Sequence, residues 1–217
     1  MKSQADYRTL KAAASSEFTV QKSRFIGQVF PCTTEEEAAL LLAGVRRAHP
    51  DARHNCYACI LGKGKEIMRS SDDGEPGGTG GRPILQVMEH LDVTDCLCVV
   101  TRYFGGILLG TGGLTRAYSQ GARDAFAKAE IVEIYRSDIY LLECSYSLWQ
   151  RLDYFFKTAG ARILSREFGT SVVVTLMVKS HETEGLLDQI RRISEGQAEL
   201  MYDHSEYLPW LWSETEA

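Results

Sequence analysis

Between Arg69 and Arg123 the chain gathers the residues best able to do chemistry. Asp72, Asp73 and Glu75 sit at a glycine-rich turn, Gly74 to Gly81, that runs into Arg82. Arg102 and Tyr103 lead into a second such turn, containing Gly105, Gly106, Gly110, Gly112 and Gly113, with Arg116 just beyond. Glycine loses more backbone freedom on folding than other residues, so glycine this dense implies positive φ or close approach of another group to the backbone. Three chemistries come within reach. The amides of the second turn, opening into a helix, can cradle an anion with Arg102 or Arg116 as charge partner, although the same glycines equally suit a helix packed tightly on a sheet. The clustered carboxylates can hold a hard cation or pair with Arg69, Arg82 or Arg102 and brace the loop. No histidine or further acid at ligand spacing completes a metal set, so bracing is favoured and neither metal nor cofactor is expected. Arg102-Tyr103-Phe104, finally, makes a stacking and hydrogen-bonding edge of the kind used on single-stranded RNA or on protein partners, unless Arg102 is buried against an acid and the rings belong to the core.

Several tempting assignments fail on spacing. The second turn is no P-loop, because Gly112-Gly113-Leu114-Thr115 brings no lysine to the helix, and no ribose-binding acid completes a dinucleotide fingerprint. Cys56 and Cys59 have redox or zinc spacing, but a strand points them to opposite faces and no second pair follows. Cys96 and Cys98 share one apolar strand face, so buried thiols are expected throughout. A nucleophilic pair of Cys56 with His54 is awkward at i and i+2 of a strand. His49, His90, His181 and His204 are isolated and read as surface or cap residues.

At 217 residues, with 44% hydrophobic and 24% charged residues, the chain is ordinary for a globular protein of two modest domains. The first thirty residues lack a signal-peptide core and no apolar run approaches the roughly 20 residues of a membrane span, so a cytoplasmic protein with no membrane partner and reduced cysteines is expected. The net charge of −5 is uneven: residues 1–134 carry 16 basic and 16 acidic groups, residues 135–217 carry 8 and 13. Neither half is a basic glove, which disfavours bulk-charge binding of nucleic acid and gives no expectation of DNA. From Lys65 to Lys128 every base is an arginine, the residue suited to bidentate anion contacts or buried carboxylate pairs.

The elements that must position these residues follow from periodicity. Residues up to about 14 show none and are expected to be loosely held. A strand or bent hairpin begins near Glu17, with Gly27 a plausible bulge. Thr33 or Thr34 caps a helix that Pro50 stops; His54 to Leu61 and Glu66 to Arg69 form a hairpin about Gly62-Lys63-Gly64; Pro83 opens a helix to about Leu91. Thr94 to Thr101 is an apolar strand ending at Arg102, and a helix from Gly113 to Ala129 turns Leu114, Ala117, Tyr118, Ala122 and Phe126 inward. After about Glu133 the rhythm changes to βαββαβ, the order of a ferredoxin-like split βαβ sandwich, ending in a strand from Ala198 to Asp203 and an apolar tail with Trp210 and Trp212 that docks back on the body. The predicted domains are 1–134 and 135–217.

Ser-Asp-Asp-Gly-Glu-Pro at 71–76, Gly-Arg-Pro-Ile-Leu at 81–85, Val-Val-Thr-Arg-Tyr-Phe-Gly-Gly at 99–106 and Leu-Gly-Thr-Gly-Gly-Leu at 109–114 resemble the signature of the Impact family, the YigZ-like proteins. Lys22 to Ile26 and Ala52 to Cys56 add to the match. Gly77 and Gly80 stand where the family usually has Ser and Ala, which removes any serine hydroxyl at 77. The resemblance covers nearly the whole chain. It implies an α+β protein whose first domain is similar to ribosomal protein S5 domain 2 and to domain IV of elongation factor G, and whose second is similar to that factor's ferredoxin-like domain V. Eukaryotic members regulate translation by binding a ribosome-associated activator of a stress kinase. The expectation is therefore a translation-linked regulatory or binding protein that contacts the ribosome, RNA or a ribosome-associated partner through Arg69, Asp72, Asp73, Gly74, Glu75, Arg82, Arg102, Tyr103, the second-turn glycines and Arg116. The rival is an enzyme acting on a phosphorylated or anionic small substrate, with Asp73 or Glu75 as acid, base or metal ligand and Arg102 stabilising charge. A concave pocket at the turns favours the enzyme; an open arginine-aromatic face favours macromolecular binding.

Overall fold

The computed structural model describes residues 5–211. It has the expected α+β class and falls into two compact units, one running through Glu133 and the other from Ile134 to Trp210.

The first unit contains β1 (Tyr7–Leu10), β2 (Ala14–Val20), β3 (Ser23–Pro31), α1 (Glu35–Ala48), β4 (His54–Leu61), β5 (Ile67–Ser71), α2 (Gly81–Leu91), β6 (Cys96–Tyr103) and α3 (Gly110–Lys128). Five strands form one sheet in the order β2-β3-β6-β4-β5, with every neighbouring pair antiparallel. β3 and β4 flank β6, so the α1 connection is a split crossover. It covers one face, where Cys59, Leu61, Leu97 and Val99 meet Ala38, Leu42 and Val45. α2 and α3 cover the other, burying Phe25, Cys56, Ile60, Cys98 and Val100 against Ile84, Met88, Tyr118 and Phe126. Period-2 alternation along β4 and β6 thus feeds two cores, and Cys56 and Cys59 do point to opposite faces. Thr34 caps α1, its hydroxyl accepting from the Glu37 amide at 3.2 Å, while Glu37 reaches back to the Thr33 amide at 2.8 Å.

Two expectations about the first thirty residues need correction. The segment before residue 14 is not loose: β1 pairs with the later strand β7 (Ile131–Cys144), with the Lys11 amide on the Glu130 carbonyl at 2.9 Å and Arg8 on Glu133 at 3.0 Å. These partners lie more than a hundred residues away, which local periodicity cannot register. Gly27 is not a bulge either, since β3 keeps regular register with both neighbours there. A Cβ at Gly27 would lie 2.1 Å from the carbonyl oxygen of Gly121, so glycine lets α3 lie directly on the sheet. The β2–β3 turn is Gln21-Lys22, both at positive φ, a two-residue hairpin turn built without glycine.

The second unit contains β7, whose first residues lie before the boundary, then α4 (Tyr146–Phe156), β8 (Arg162–Phe168), β9 (Val172–Lys179), α5 (Thr183–Ser194) and β10 (Glu199–Leu211). The strands lie in the order β10-β7-β9-β8, fourth-first-third-second, which is the ferredoxin-like arrangement expected. Leu142, Val174 and Leu176 of the sheet pack against Leu148, Leu152, Leu186 and Ile190 of the helices. The last strand runs eight residues beyond its predicted end at Asp203, so Leu208, Pro209 and Trp210 belong to β10 and not to a tail. Trp210 docks as expected: its indole donates to the Ser137 hydroxyl at 3.1 Å, and the Arg162 guanidinium stacks 4.2 Å from its ring. Trp212 lies outside the described residues.

Candidate functional site

One end of the first unit's sheet carries a row of three side chains. The antiparallel registers set Phe25 opposite Arg102 and Arg102 opposite His54, on the face that α2 and α3 cover. The next residue, Tyr103, turns to the other face, where its hydroxyl is 2.9 Å from Nδ1 of His49 and the Arg24 guanidinium lies 5.2 Å from its ring centre. Strand alternation alone thus separates Arg102 from Tyr103. The stacking edge expected of Arg102-Tyr103-Phe104 is not formed: Arg102 is held between Phe25 and Phe104, at 5.6 and 5.3 Å from the ring centres.

Arg102 is buried, and its partner is Glu75 rather than Asp72 or Asp73. Nη1 donates to Glu75 Oε1 at 2.7 Å, and the two side chains are 5% and 4% exposed. The same carboxylate oxygen accepts from the Tyr118 hydroxyl at 2.8 Å. Burial, Cys56 and Glu75 together push the Tyr118 phenol far above its ordinary range, so it serves as a fixed donor. His54 approaches from β4. Its Nδ1 lies 2.8 Å from the Asp73 carbonyl, which can only accept, so Nδ1 carries a proton, and Nε2 faces Glu75 Oε1 at 3.9 Å.

The first glycine turn is tied down by its own acids, which diverge. Asp72 accepts from the amides of Gly78, Gly80 and Gly81 at 2.8, 2.9 and 2.8 Å. Burial alone would raise its pKa, but the three amides outweigh it and hold the carboxyl below its usual range. Asp73 accepts from Arg46 and from the Asn55 amide, both at 2.7 Å, at a positive φ that it shares with Gly74. Gly80 and Gly81 are there for closeness, since added Cβ atoms would meet Cys56 Sγ at 2.5 Å and the Ser71 amide nitrogen at 2.6 Å. Cys56 donates its thiol to the Asp72 carbonyl at 3.0 Å, and burial drives its pKa up to about 12. It is therefore a structural thiol, as its apolar strand suggested.

The second turn is looser. Gly105 packs against the Lys22 backbone, where a Cβ would come within 2.0 Å, and its amide donates to the Ser23 hydroxyl at 3.2 Å. Gly106 and Gly110 take positive φ, whereas Gly112 has an ordinary φ and open space where a Cβ would stand. No side chain caps the start of α3. Phe104, Ile107 and Leu108 are 41, 41 and 86% exposed.

Between the two turns lies a cavity of about 380 Å³. Glu75, Arg102, His54 and Arg53 line its polar side, Pro76, Phe104, Leu108, Leu109 and Leu114 its apolar side, and Gly110 and Thr111 bring the start of α3 to it. Of the residues singled out in the sequence, the fold brings Glu75, Arg102, Phe104 and Gly110 to this cavity. Asp72, Asp73 and Gly74 brace its wall. Arg69 points to the opposite face of the sheet, paired with Glu35 of α1 at 3.0 Å, and Arg82 and Arg116 are exposed on α2 and α3 away from the lining. Sequence reasoning missed His54, Tyr118 and Arg53. His54 was set aside as a partner for Cys56, whereas its partners come from the first glycine turn; Tyr118 was placed correctly inward, but periodicity says nothing about where a buried hydroxyl points.

The Impact N-terminal domain matches residues 21–126, and a domain of unknown function (DUF1949) matches residues 142–197. The chain is 31% identical over 202 residues to the IMPACT family member YvyE of Bacillus subtilis, covering 93% of each chain. It is 38% identical over 97 residues to Protein IMPACT of Mus musculus, which takes in 42% of this chain and 30% of that protein. A crystal structure described as that of a hypothetical protein, 29% identical, superposes with a TM-score of 0.59 over 91% of this chain and 97% of its own. With both domains matched in order and a bacterial member matched nearly end to end, the chain belongs to the Impact family.

Proposed function

We propose that this chain is a cytoplasmic, translation-linked binding protein that docks a protein of the translation apparatus on the loop between β6 and α3. The link to translation rests on family membership and on what the resemblance to eukaryotic members implies. The observation that carries the surface is the run Phe104–Leu108, where three large apolar side chains stand exposed around two glycines. Apolar groups concentrated in one short loop mark an interaction site more often than scattered ones do. The arginines argue for protein over RNA: Arg102 is neutralised by Glu75 in the interior, Arg69 lies on the opposite face of the sheet, and Arg82 and Arg116 are exposed on their helices without lining the cavity. No helix among the described residues is long and apolar enough to cross a membrane.

The test is co-sedimentation with purified bacterial ribosomes that retain their associated proteins. Wild type is expected to sediment, Ile107→Ser with Leu108→Ser to bind at least tenfold more weakly, and Arg82→Ala with Arg116→Ala to bind normally. Raising salt from 50 to 200 mM is expected to change binding less than about threefold, whereas six to ten phosphate contacts would lose about 10³ to 10⁵. Failure to sediment, or a loss confined to the arginine variant, would overturn the reading. The rival enzyme is favoured by one observation, the concave cavity, but Asp73 and Glu75 are both committed to structural partners.

A further inference from the structure

We propose that the cavity between the two glycine turns binds a small organic phosphate, its phosphate at the start of α3 and its organic part on the apolar wall. This concerns the chain alone and is tested without a protein partner; Phe104 and Leu108 belong both to the docking loop and to the cavity wall.

The charge balance of the lining comes first. Glu75 is the only acid there, and Arg102 neutralises it. Arg53 remains as a surplus cation: it lines the cavity, is exposed, and has no carboxylate within 4 Å among the described residues. The start of α3 adds to it. A helix leaves its first amides without intrahelical acceptors and with partial positive charge, and here no side chain caps them. Gly110, Gly112 and Gly113 keep Cβ atoms away from those amides, and at Gly112 neither φ nor packing inside the protein asks for glycine.

A second, independent feature points the same way. The side chain of Arg102, 5% exposed and part of the cavity wall, leaves its Nε without an acceptor among the described residues. A buried charged donor left unpaired is costly, and an anion in the cavity lies in its field.

The opposite wall sets the rest of the ligand. Pro76, Phe104, Leu108, Leu109 and Leu114 make it apolar, and about 380 Å³ falls in the range of small-molecule sites. An inorganic ion would leave this wall unfilled. Phosphate is preferred to carboxylate because its extra charge and oxygens match several amides together with Arg53.

The test is an amide-resolved NMR titration of the whole chain with phenyl phosphate, phenylacetate, inorganic phosphate and benzyl alcohol. Phenyl phosphate is expected to saturate, shifting the amides of Gly110, Thr111 and Gly112, and to bind at least tenfold more tightly than inorganic phosphate and more tightly than phenylacetate. Benzyl alcohol should not saturate. Arg53→Gln, a change at an exposed side chain that leaves the fold intact, should weaken phenyl phosphate at least fivefold, and Arg82→Gln should not. Absence of saturation, shifts centred away from α3, equal loss in both variants, or tighter binding of phenylacetate would each overturn the proposal.

Discussion

Glu75 and Arg102 hold the candidate site together, and their chemistry explains why they must be considered as a pair. Two charges removed from water are tolerable only because each faces the other, with Tyr118 supplying a further hydrogen bond. Removing one leaves the other buried and uncompensated. Glu75→Gln is therefore expected to lower stability in urea unfolding by about 3–5 kcal/mol, and the double variant Glu75→Gln, Arg102→Met by less than the two single changes combined. Single losses below about 1 kcal/mol would show that the pair is not buried as described. The sequence did supply both residues, and it had offered a buried, acid-paired Arg102 as one alternative. It did not identify Glu75 as the acid, because the choice among Asp72, Asp73 and Glu75 depends on which way each leaves a turn that their own hydrogen bonds shape.

The elements were legible wherever their cause was local. The Thr34 cap, the strand His54–Leu61, the helix opening at Pro83 and the βαββαβ order all follow from capping, period and punctuation within a few residues. β1 was not legible because its pairing partner lies far along the chain, nor was the full length of β10, which was expected to end at Asp203. The glycines show the same division. Density alone marked the turns, but only packing separates Gly27, pressed on the Gly121 carbonyl, from Gly112, which touches nothing within 4 Å. Gly27→Ala should destabilise by about 1–3 kcal/mol or more, since a backbone oxygen cannot swing aside. Gly112→Ala should be neutral or stabilising by up to about 1 kcal/mol, helix propensity being the only internal consideration. Thermal unfolding of the two variants separates these outcomes, and comparable losses in both would contradict the packing argument.

For the whole molecule, the central proposal is that one end of the first unit carries the working surface. The near-neutral charge of residues 1–134 and the burial of Arg102 leave the apolar loop after β6 as the exposed feature most in need of a partner. The opposite face offers a built-in control, because Leu40 on α1 is 71% exposed yet isolated from the glycine turns. The most direct measurement is photocrosslinking in intact bacterial cells from a photoreactive residue placed at position 108 or at position 40. The account predicts a discrete crosslink to a translation-associated protein from position 108 and none from position 40. Equal products from both positions, or no crosslink from position 108, would contradict it.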